Sequence, residues 1–434
     1  MKRNVALFVL LFLVIGCGNL HTPPLGQPED QVLNFVVMGD NRPADVFRPE
    51  QPYIYHKVVA AAVALNPALI LNTGDLVFGY DTLSQEKATE EFDDFEAATA
   101  PIREKGIPLY ITMGNHSGYT EFARQAFRNR YENQDTGRLY YSFDVKNSHF
   151  IILCSELENE ESQITGEQME WLKMDLKGTK DKHIFVLLHK PLYPKIKHLE
   201  DSMNKHPEKR DALADLFKQY NVDMVFVGHV HVYNFSVVSG LNQIIAGGSG
   251  APLAGTLGEG GFNHFFHVII NGDDIDYRLL PLQNEVLLAT QLISEGRIQG
   301  AISLAEKAIE ILPAHPMPNI IATVGYKVAE HPAKYAAGIT VLQSILGSEE
   351  EVYFRLGEFC LDAKLLDLAD LFLAKALNMT ANSFKVLYHC GKLKMAENQY
   401  AIALEMYKKA LPLTDNDYFK LDIQKQIKTL EEKM

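Results

Sequence analysis

The sequence predicts two folded parts: an α/β sandwich with helices on its outer faces, followed by an all-α region of repeated helices. The chain of 434 residues is long enough for about two or three domains of roughly 150 residues each. Short apolar segments alternate with amphipathic ones over residues 31–281, which is typical of α/β folds. In the last third, small residues recur at a spacing of 34 residues, which indicates a repeat.

The first segment of the chain is predicted to direct export. Lys2 and Arg3 precede an apolar run over residues 5–15, too short for the roughly 20 residues of a membrane-spanning helix. We therefore expect a signal peptide over 1–16. Gly16-Cys17 resembles a bacterial lipoprotein processing site, which implies a lipidated Cys17, a Pro-rich tether over 17–30 and location at the cell envelope, on the outer membrane or facing the periplasm. The alternative is an ordinary signal in which Cys17 is incidental.

Composition excludes several classes of protein. With 47% hydrophobic and 22% charged residues, the chain is globular. Its 41 basic and 55 acidic residues give a net charge of −14, which disfavours general nucleic-acid binding because an acidic surface repels phosphates. Cys154, Cys360 and Cys390 lie in apolar contexts without Cys-x-x-Cys spacing, so we expect buried thiols and neither a disulfide nor a metal.

The predicted α/β domain spans residues 31–282. The first strands are predicted at Val32–Met38, Ala68–Asn72, Ile107–Thr112, His183–Leu188 and Val222–Val227. Helices are predicted at Pro52–Leu65, Gln85–Glu104, Tyr119–Arg130, Gly166–Lys177 and Glu208–Gln219. Further strands, joined by tight turns, are predicted at Tyr140–Val145, Phe150–Cys154, Tyr233–Val238, Gln243–Ala246, Phe265–Ile270 and Asp276–Leu280.

Metal-binding residue types follow five of the predicted strands. In chain order these blocks are Gly39-Asp40, Gly74-Asp75, Gly114-Asn115-His116, His189, and Gly228-His229-Val230-His231. The carboxyl ends of strands in an α/β sheet are where ligands collect, and a preceding glycine permits the sharp turn that points a side chain into the site. Each block alone is more often a turn aspartate or a core histidine. Five blocks in this order predict a shared site.

A pair of metal ions suits this set of side chains. Two metals about 3.5–4 Å apart acidify a water molecule and neutralise the charge that develops in phosphate-ester cleavage. Carboxylate and imidazole ligands suit Fe, Mn and Zn, and the absence of nearby cysteines disfavours a structural thiolate zinc site.

The blocks, together with 168–172 and 247–252, resemble the calcineurin-like metallophosphoesterase superfamily. His189-Lys190-Pro191-Leu192-Tyr193 is most similar to the purple acid phosphatases. The resemblance implies a four-layer α/β/β/α sandwich and a metal-dependent phosphoesterase or phosphatase. It also implies the following roles: Asp75 bridges two metals, Asp40 and His231 hold the first, Asn115, His189 and His229 hold the second, and His116 protonates the leaving oxygen.

The sequence departs from the pattern of this superfamily at three positions. Arg42 stands where many members have a metal-binding histidine, and Phe78 where the purple phosphatases have a tyrosine ligand. Asn41 or water is then expected to complete the first metal site, while Arg42 either contacts a substrate phosphate or forms a structural salt bridge. Ser117 replaces an acidic residue that often supports the catalytic histidine.

Two charged segments lie between the metal-binding blocks. Residues 156–161 include four glutamates and are interpreted as a solvated turn. Lys190, Lys195, Lys197 and His198 form a basic cluster, which is either a solvated loop or a surface that attracts an anionic substrate.

The region 283–434 resembles a tetratricopeptide-repeat array of antiparallel helix pairs. Gly357 and Gly391 are 34 residues apart, and alanines recur at the same period. These alanines are Ala301, Ala308, Ala369, Ala376, Ala403 and Ala410. The second repeat is poor, with Tyr335 and Leu342 at alanine positions. Such arrays present a groove for a protein partner, or pack on their own catalytic domain.

Two functions remain open from the sequence. The first is an envelope-anchored phosphoesterase that hydrolyses mono- or diesters at a binuclear centre of Fe, Mn or Zn. The second is a non-catalytic envelope scaffold whose repeats bind a protein partner. It is motivated by Arg42 and Phe78, which replace expected ligands of the first metal, and by Ser117, which replaces the acidic residue that often supports the catalytic histidine.

Overall fold

A computed structural model describes residues 32–80 and 82–434. The predicted signal peptide, Cys17 and the tether lie outside these residues. The described residues form two compact units, one ending at Gln283 and one spanning Asn284–Met434.

The first unit contains two β-sheets. Its strands are β1 (Val32–Met38), β2 (Leu69–Asn72), β3 (Leu109–Ile111), β4 (Tyr141–Val145), β5 (Ser148–Ile152), β6 (His183–Leu187), β7 (Met224–Val227), β8 (Tyr233–Val238), β9 (Leu241–Ala246), β10 (His264–Asn271) and β11 (Asp274–Pro281). One sheet has the order β11-β10-β1-β2-β3 and the other β4-β5-β6-β7-β9-β8. Strands β1, β2 and β3 are parallel, as are β5, β6, β7 and β9, so the carboxyl ends within each set meet at one edge.

Helices connect these strands. They are α1 (Tyr53–Ala64), α2 (Gln85–Ala98), α3 (Ala100–Glu104), α4 (Asn115–Gly118), α5 (Glu121–Tyr131), α6 (Gly166–Gly178) and α7 (Pro207–Gln219). The single helix expected over Gln85–Glu104 is wrong, because it breaks at Thr99. The Thr99 hydroxyl donates to the Phe95 carbonyl, and Pro101 has no amide proton to continue the helical hydrogen bonds.

The two sheets face each other across an aromatic core. Phe35 of β1 makes edge contacts with Phe150 of β5 and Phe185 of β6, each at 5.2 Å between ring centroids. Its neighbour Val36 points the other way, into a cluster with helices α1 and α2, because successive side chains of a strand alternate between faces. Helices α6 and α7 cover the opposite sheet through residues such as Leu172. The predicted four-layer α/β/β/α sandwich is confirmed.

The second unit is all-helical, as predicted. Its helices are α8 (Glu285–Ser294), α9 (Ile298–Ile311), α10 (Pro316–Val328), α11 (Pro332–Leu346), α12 (Glu349–Asp362), α13 (Leu366–Met379), α14 (Phe384–Ala396), α15 (Tyr400–Ala410) and α16 (Asp417–Lys433). The periodic glycines lie where helices touch. A Cβ on Gly357 would lie 2.7 Å from Leu373, and one on Gly391 the same distance from Tyr407. The six periodic alanines are fully buried.

Cys154, Cys360 and Cys390 are buried, as expected. Among the helices of residues 32–80 and 82–434, none combines the length and apolar character needed to cross a bilayer.

Candidate metal centre

The strand ends of both sheets deliver the predicted site residues to one place. Asp40 follows β1 and Asp75 follows β2, while Asn115 opens α4 after β3. From the other sheet, His189 follows β6 and the pair His229 and His231 follows β7. All of these side chains except that of Asn115, which is half-buried, are buried. The structure therefore brings together the six residues to which the sequence analysis gave metal-binding roles, whereas the substitute ligand Asn41 is engaged elsewhere.

Glycines make room for the two carboxylates. A Cβ on Gly114 would lie 2.3 Å from Asp75 Oδ1, and a Cβ on Gly228 would lie 2.2 Å from Asp40 Oδ2. Three of the polar residues themselves adopt left-handed backbone, with φ of 53° at Asp40, 55° at Asp75 and 68° at His229. Left-handed conformations in non-glycine residues cost about 1–3 kcal/mol each and persist where surrounding contacts enforce them. The fold therefore holds these side chains inward against a local backbone cost.

One group of potential ligands consists of Asp40, Asp75 and His231, each with a ligand atom within 4.8 Å of the others. His231 Nδ1 donates to the Pro252 carbonyl at 2.7 Å, which leaves Nε2 as the unprotonated nitrogen, 3.7 Å from Asp40 Oδ1. Asp40 is fixed in turn by the His229 amide, which donates to its Oδ1 at 2.7 Å.

A second group consists of Asp75, His189 and His229. His189 Nδ1 donates to the Thr73 carbonyl at 2.8 Å, so its Nε2 presents a lone pair 3.4 Å from Asp75 Oδ1 and 2.9 Å from Asn115 Oδ1. His229 Nδ1 lies 2.7 Å from the same Asn115 oxygen. Asp75 is therefore the member that both groups share.

The electrostatics of the site fit metal ions. Burial lowers the pKa of His229 and of His231 to about 3, and also lowers the pKa of His189, so the three imidazoles are neutral and can donate lone pairs. Burial, together with the charge of Asp75, raises the pKa of Asp40. Carboxylate oxygens, an amide oxygen and imidazole lone pairs converge here. A cation satisfies such a set of acceptors, and carboxylate and imidazole ligands suit metals such as Fe, Mn and Zn.

His116 lies beside Asp75. Its amide donates to Asp75 Oδ1 at 3.1 Å, and its ring Nδ1 donates to the Phe78 carbonyl at 2.5 Å, so Nε2 is left as the nitrogen that faces the centre, 3.9 Å from Asp75 Oδ2. Burial lowers the pKa of His116 to about 4, although Asp75 opposes the shift. Ser117, its neighbour, is buried, and its hydroxyl has no hydrogen-bond partner among the described residues.

Arg42 and Asn41 occupy different surroundings. The Arg42 guanidinium is half-buried, donates to the Pro43 carbonyl at 2.9 Å and lies 5.8 Å from the Phe78 ring centroid. Its charge contributes to lowering the pKa of Asp75, which places it near the carboxylates. The Asn41 amide donates to Gln51 at 2.8 Å and its oxygen accepts from Asn72 at 3.2 Å, so both ends are engaged away from the ligand groups.

The sequence analysis missed two residues at the rim of the centre. His198 lies 4.3 Å from His229 between ring centroids, and His198 Nδ1 is 2.9 Å from Asp201 Oδ2. The same Asp201 oxygen lies 3.6 Å from His229 Nε2. His198 was placed in a basic cluster, and Asp201 carried no motif. No signal in the local sequence connects this loop to His229.

The expected solvated character of Lys190 and Glu156 is wrong. Both are buried, and Lys190 Nζ lies 3.2 Å from Glu156 Oε2 and 2.9 Å from the Ser162 hydroxyl. The Ser155 hydroxyl donates to Glu156 at 2.9 Å. A buried lysine requires an anionic partner, and Glu156 supplies it from a loop 34 residues earlier in the chain.

A separate acidic group lies at the edge strand of the second sheet. Asp144, His149 and Asp181 bring ligand atoms within 4.8 Å of one another, and His149 Nε2 is also 2.9 Å from Asp175 Oδ2. Asp144 is exposed, and the sequence analysis did not nominate this group.

The four-layer sandwich, with two ligand groups sharing one carboxylate at the strand ends, defines the class of binuclear metallophosphoesterases. Residues 17–233, half of the chain, match the family model of the calcineurin-like phosphoesterases. The chain belongs to this family.

Individual relatives cover only part of the chain. It is 27% identical over 202 residues to purple acid phosphatase 23 of Arabidopsis thaliana, covering 39% of this chain and 42% of that protein. It is 31% identical over 186 residues to purple acid phosphatase 22 of the same plant, covering 39% and 40%. Among solved structures, purple acid phosphatase PPD1 from yellow lupin aligns with 20% identity and a TM-score of 0.47, covering 57% of this chain and 51% of that one. The chain thus spans less than half the length of the curated relatives that it matches.

Proposed function

We propose that this protein is a metal-dependent phosphoesterase that hydrolyses phosphate mono- or diesters at a centre of two metal ions of the Fe, Mn or Zn type. One observation carries the proposal: Asp75 belongs to two groups of ligands at once, one with Asp40 and His231 and one with His189 and His229. A carboxylate with this placement is suited to bridging two cations. The similarity to purple acid phosphatases supports phosphate esters as the substrates.

The ligand roles follow from the two groups. Asp40 and His231 would hold the first metal, His189, His229 and Asn115 the second, and Asp75 both. Bound there, the ions supply an acidified water and neutralise charge on the phosphate. Asn115 contributes its amide oxygen, which already lies 2.7–2.9 Å from the ring nitrogens of the two histidines.

The residues around the metals carry out the remaining steps. In hydrolysis a water oxygen forms a new bond to phosphorus and the bond to the ester oxygen breaks, so the leaving oxygen needs a proton. His116 can deliver one from Nε2 when its ring is protonated at both nitrogens, with Nδ1 still donating to the Phe78 carbonyl; because burial lowers its pKa to about 4, this form becomes more populated as pH falls. Arg42, whose guanidinium lies near Asp40 and Asp75, would contact the phosphate and balance its charge.

Metal analysis combined with turnover tests the proposal. We expect two equivalents of Fe, Mn or Zn per chain and hydrolysis of an aryl phosphate. Asp75→Asn should lower the metal content below one equivalent and abolish turnover, because both ions lose a charged ligand. Asp144→Asn is the matched control, since it removes a carboxylate from the separate His149 group and should retain two metals and full activity. Normal turnover by Asp75→Asn would contradict the role of Asp75 as a ligand shared by two metals.

A second candidate is a non-catalytic scaffold. Phe78 contributes no ligand atom and Asn41 is engaged elsewhere, so the first metal has fewer protein ligands than the second. On this alternative, purified protein binds zero or one metal and hydrolyses neither mono- nor diesters.

We also propose that the protein is held at the bacterial cell envelope through a lipid on Cys17, and that the helical unit is a tetratricopeptide array that binds a protein partner. The support is the sequence around Cys17 and the 34-residue period of buried small residues. Replacing Cys17 with Ala should move the protein from the membrane fraction to the soluble fraction. Continued partitioning with membranes would contradict lipidation.

A further inference from the structure

We propose that Tyr80 and Tyr119 form a subsite that stacks against a planar ring in the leaving group of the substrate. This inference rests on the proposed function, because it assigns the leaving group of a phosphate ester to the side of the centre on which His116 lies. It narrows the substrate class to esters whose alcohol carries an aromatic ring or a nucleobase.

The two tyrosines form a stacked pair next to His116. Their ring centroids are 4.0 Å apart and the rings are inclined by 29°. The Tyr80 hydroxyl donates to the Tyr119 hydroxyl, which also accepts from Asn115 Nδ2 at 3.2 Å. These bonds tie the pair to a proposed metal ligand, so its position relative to the centre is fixed.

The contacts of His116 show which surface of the pair remains open. Its ring lies 4.9 Å from Tyr80 and 5.2 Å from Tyr119, perpendicular to both within about ten degrees. Nearly equal distances to two stacked rings place the imidazole beside their edges. An imidazole on the outer face of Tyr119 would be much farther from Tyr80. The outer face of Tyr119 is therefore not covered by His116, in agreement with an exposure of 46%.

A leaving group at His116 would lie close to the Tyr119 ring. The leaving oxygen would lie beside His116 Nε2, and the centroid of the Tyr119 ring is 5.2 Å from the centroid of the imidazole. A planar ring attached to the leaving alcohol can then stack on Tyr119, while an aliphatic alcohol gains less. Stacking on an exposed aromatic side chain strengthens binding by about five- to tenfold at the lower end of its range.

Matched pairs of esters separate the effect of the ring on kcat/KM from the effect of the leaving oxygen's reactivity. Adenosine 5′-monophosphate and ribose 5-phosphate share the same leaving oxygen and differ in the base. Benzyl phosphate and cyclohexylmethyl phosphate compare a planar with a puckered ring close to the oxygen. For the full-length metal-loaded chain, we expect kcat/KM to favour the planar member of at least one pair by about five- to tenfold.

Variants assign the preference to Tyr119. Tyr119→Leu and Tyr119→Met remove the ring and should bring the ratio within each pair close to one. Tyr119→Phe keeps the ring, loses the hydroxyl that contacts Asn115, and should keep the preference even if both rates fall. Tyr418→Leu, at a tyrosine 54% exposed in the helical unit, is the control and should keep the wild-type ratio.

The outcomes separate this inference from the proposed function. Hydrolysis of ribose 5-phosphate with ratios near one in both pairs overturns the stacking subsite and leaves the phosphoesterase intact. A preference that survives in Tyr119→Leu and Tyr119→Met also overturns it. If none of the four monoesters is hydrolysed, the stacking subsite is overturned; the proposed function is overturned as well only if the aryl phosphate and a phosphodiester are also left intact.

Discussion

Removing the charge of Lys190 should expose the cost of burying Glu156. The lysine side chain is 9% exposed and the glutamate side chain 4% exposed, with 3.2 Å between their charged atoms. Even with this partner, burial raises the pKa of Glu156 to about 7, against an ordinary value of 4.5. The perturbation is Lys190→Met, which keeps a long apolar side chain and removes the counter-charge.

The loss of stability expected in Lys190→Met depends on pH. Since the folded-state pKa of Glu156 is raised, this carboxyl lowers stability as pH rises from about 4.5 to 7, and in the wild type the loss stops near pH 7, where Glu156 ionises. Without Lys190 the carboxyl stays neutral to higher pH, so the variant goes on losing about 1.4 kcal/mol per pH unit. Between pH 7 and 9, the gap in free energy of unfolding between the wild type and Lys190→Met should therefore widen by about 3 kcal/mol. This value lies at the lower end of the range for breaking a buried ion pair.

Thermal unfolding followed by tryptophan fluorescence measures this gap. The one tryptophan of the chain, Trp171, lies in α6 of the first unit and packs 5.2 Å from Tyr140, so it reports on the unit that contains the pair. A widening of about 3 kcal/mol corresponds to a shift in Tm of about 6–12 °C. Chelator in every sample removes the contribution of metal binding.

A double variant provides the control. Glu156→Gln combined with Lys190→Met has no titrating carboxyl at this position, so its stability relative to the wild type should not fall further between pH 7 and 9. The reasoning is refuted if the gap of the single variant stays constant over this range, or if the double variant shows the same widening.

Two further predictions concern the metal centre and the second acidic group. Gly228→Ala should reduce the metal content from two equivalents to about one, because the added Cβ would lie 2.2 Å from Asp40 Oδ2; Gly178→Ala, which meets nothing within 4 Å, should retain both metals in the same elemental analysis. His149 has a raised pKa because hydrogen bonds to Asp175 and Asp144 outweigh its burial, so the stability it adds is complete below pH 6.5 and is lost as pH rises through the folded-state pKa. The Tm difference between wild type and His149→Gln should therefore shrink from pH 6 to pH 9, and a difference that grows with pH would contradict this sign.

The strands that carry the site were predictable from local sequence. Val32–Met38 is an apolar segment interrupted only by Asn34 and closed by Gly39-Asp40, and the structure has the strand with the same bounds. The strand predicted at Phe150–Cys154 instead spans Ser148–Ile152. Its polar first residues pair with the neighbouring strand β6, while the Cys154 amide bonds to the Gln168 side chain beyond the strand end. The predicted bounds followed the hydrophobic residues, which report burial. Leu153 and Cys154 are buried although they lie beyond the end of the strand.

Side chains whose role depends on distant partners were not predictable. Lys190 looked like surface charge because it belongs to a basic cluster with Lys195 and Lys197, and Glu156 looked like part of an acidic turn. Their pairing depends on β5 lying next to β6, which places the loop after one strand against the end of the other. Local sequence specifies a residue type and a turn, whereas sheet order decides which two turns meet.

The same distinction separates the proposed metal ligands from their surroundings. Each of them follows a strand, and the carboxyl ends of parallel strands lie at the same edge of a sheet. The position of a block such as Gly74-Asp75 in the sequence therefore predicts its place in the fold. Tyr80, Tyr119 and His198 follow no such rule, because loops place them. Since loops vary most freely in a fixed scaffold, substrate preference should depend on these residues, and exchange of Tyr119 should alter selectivity more than metal content.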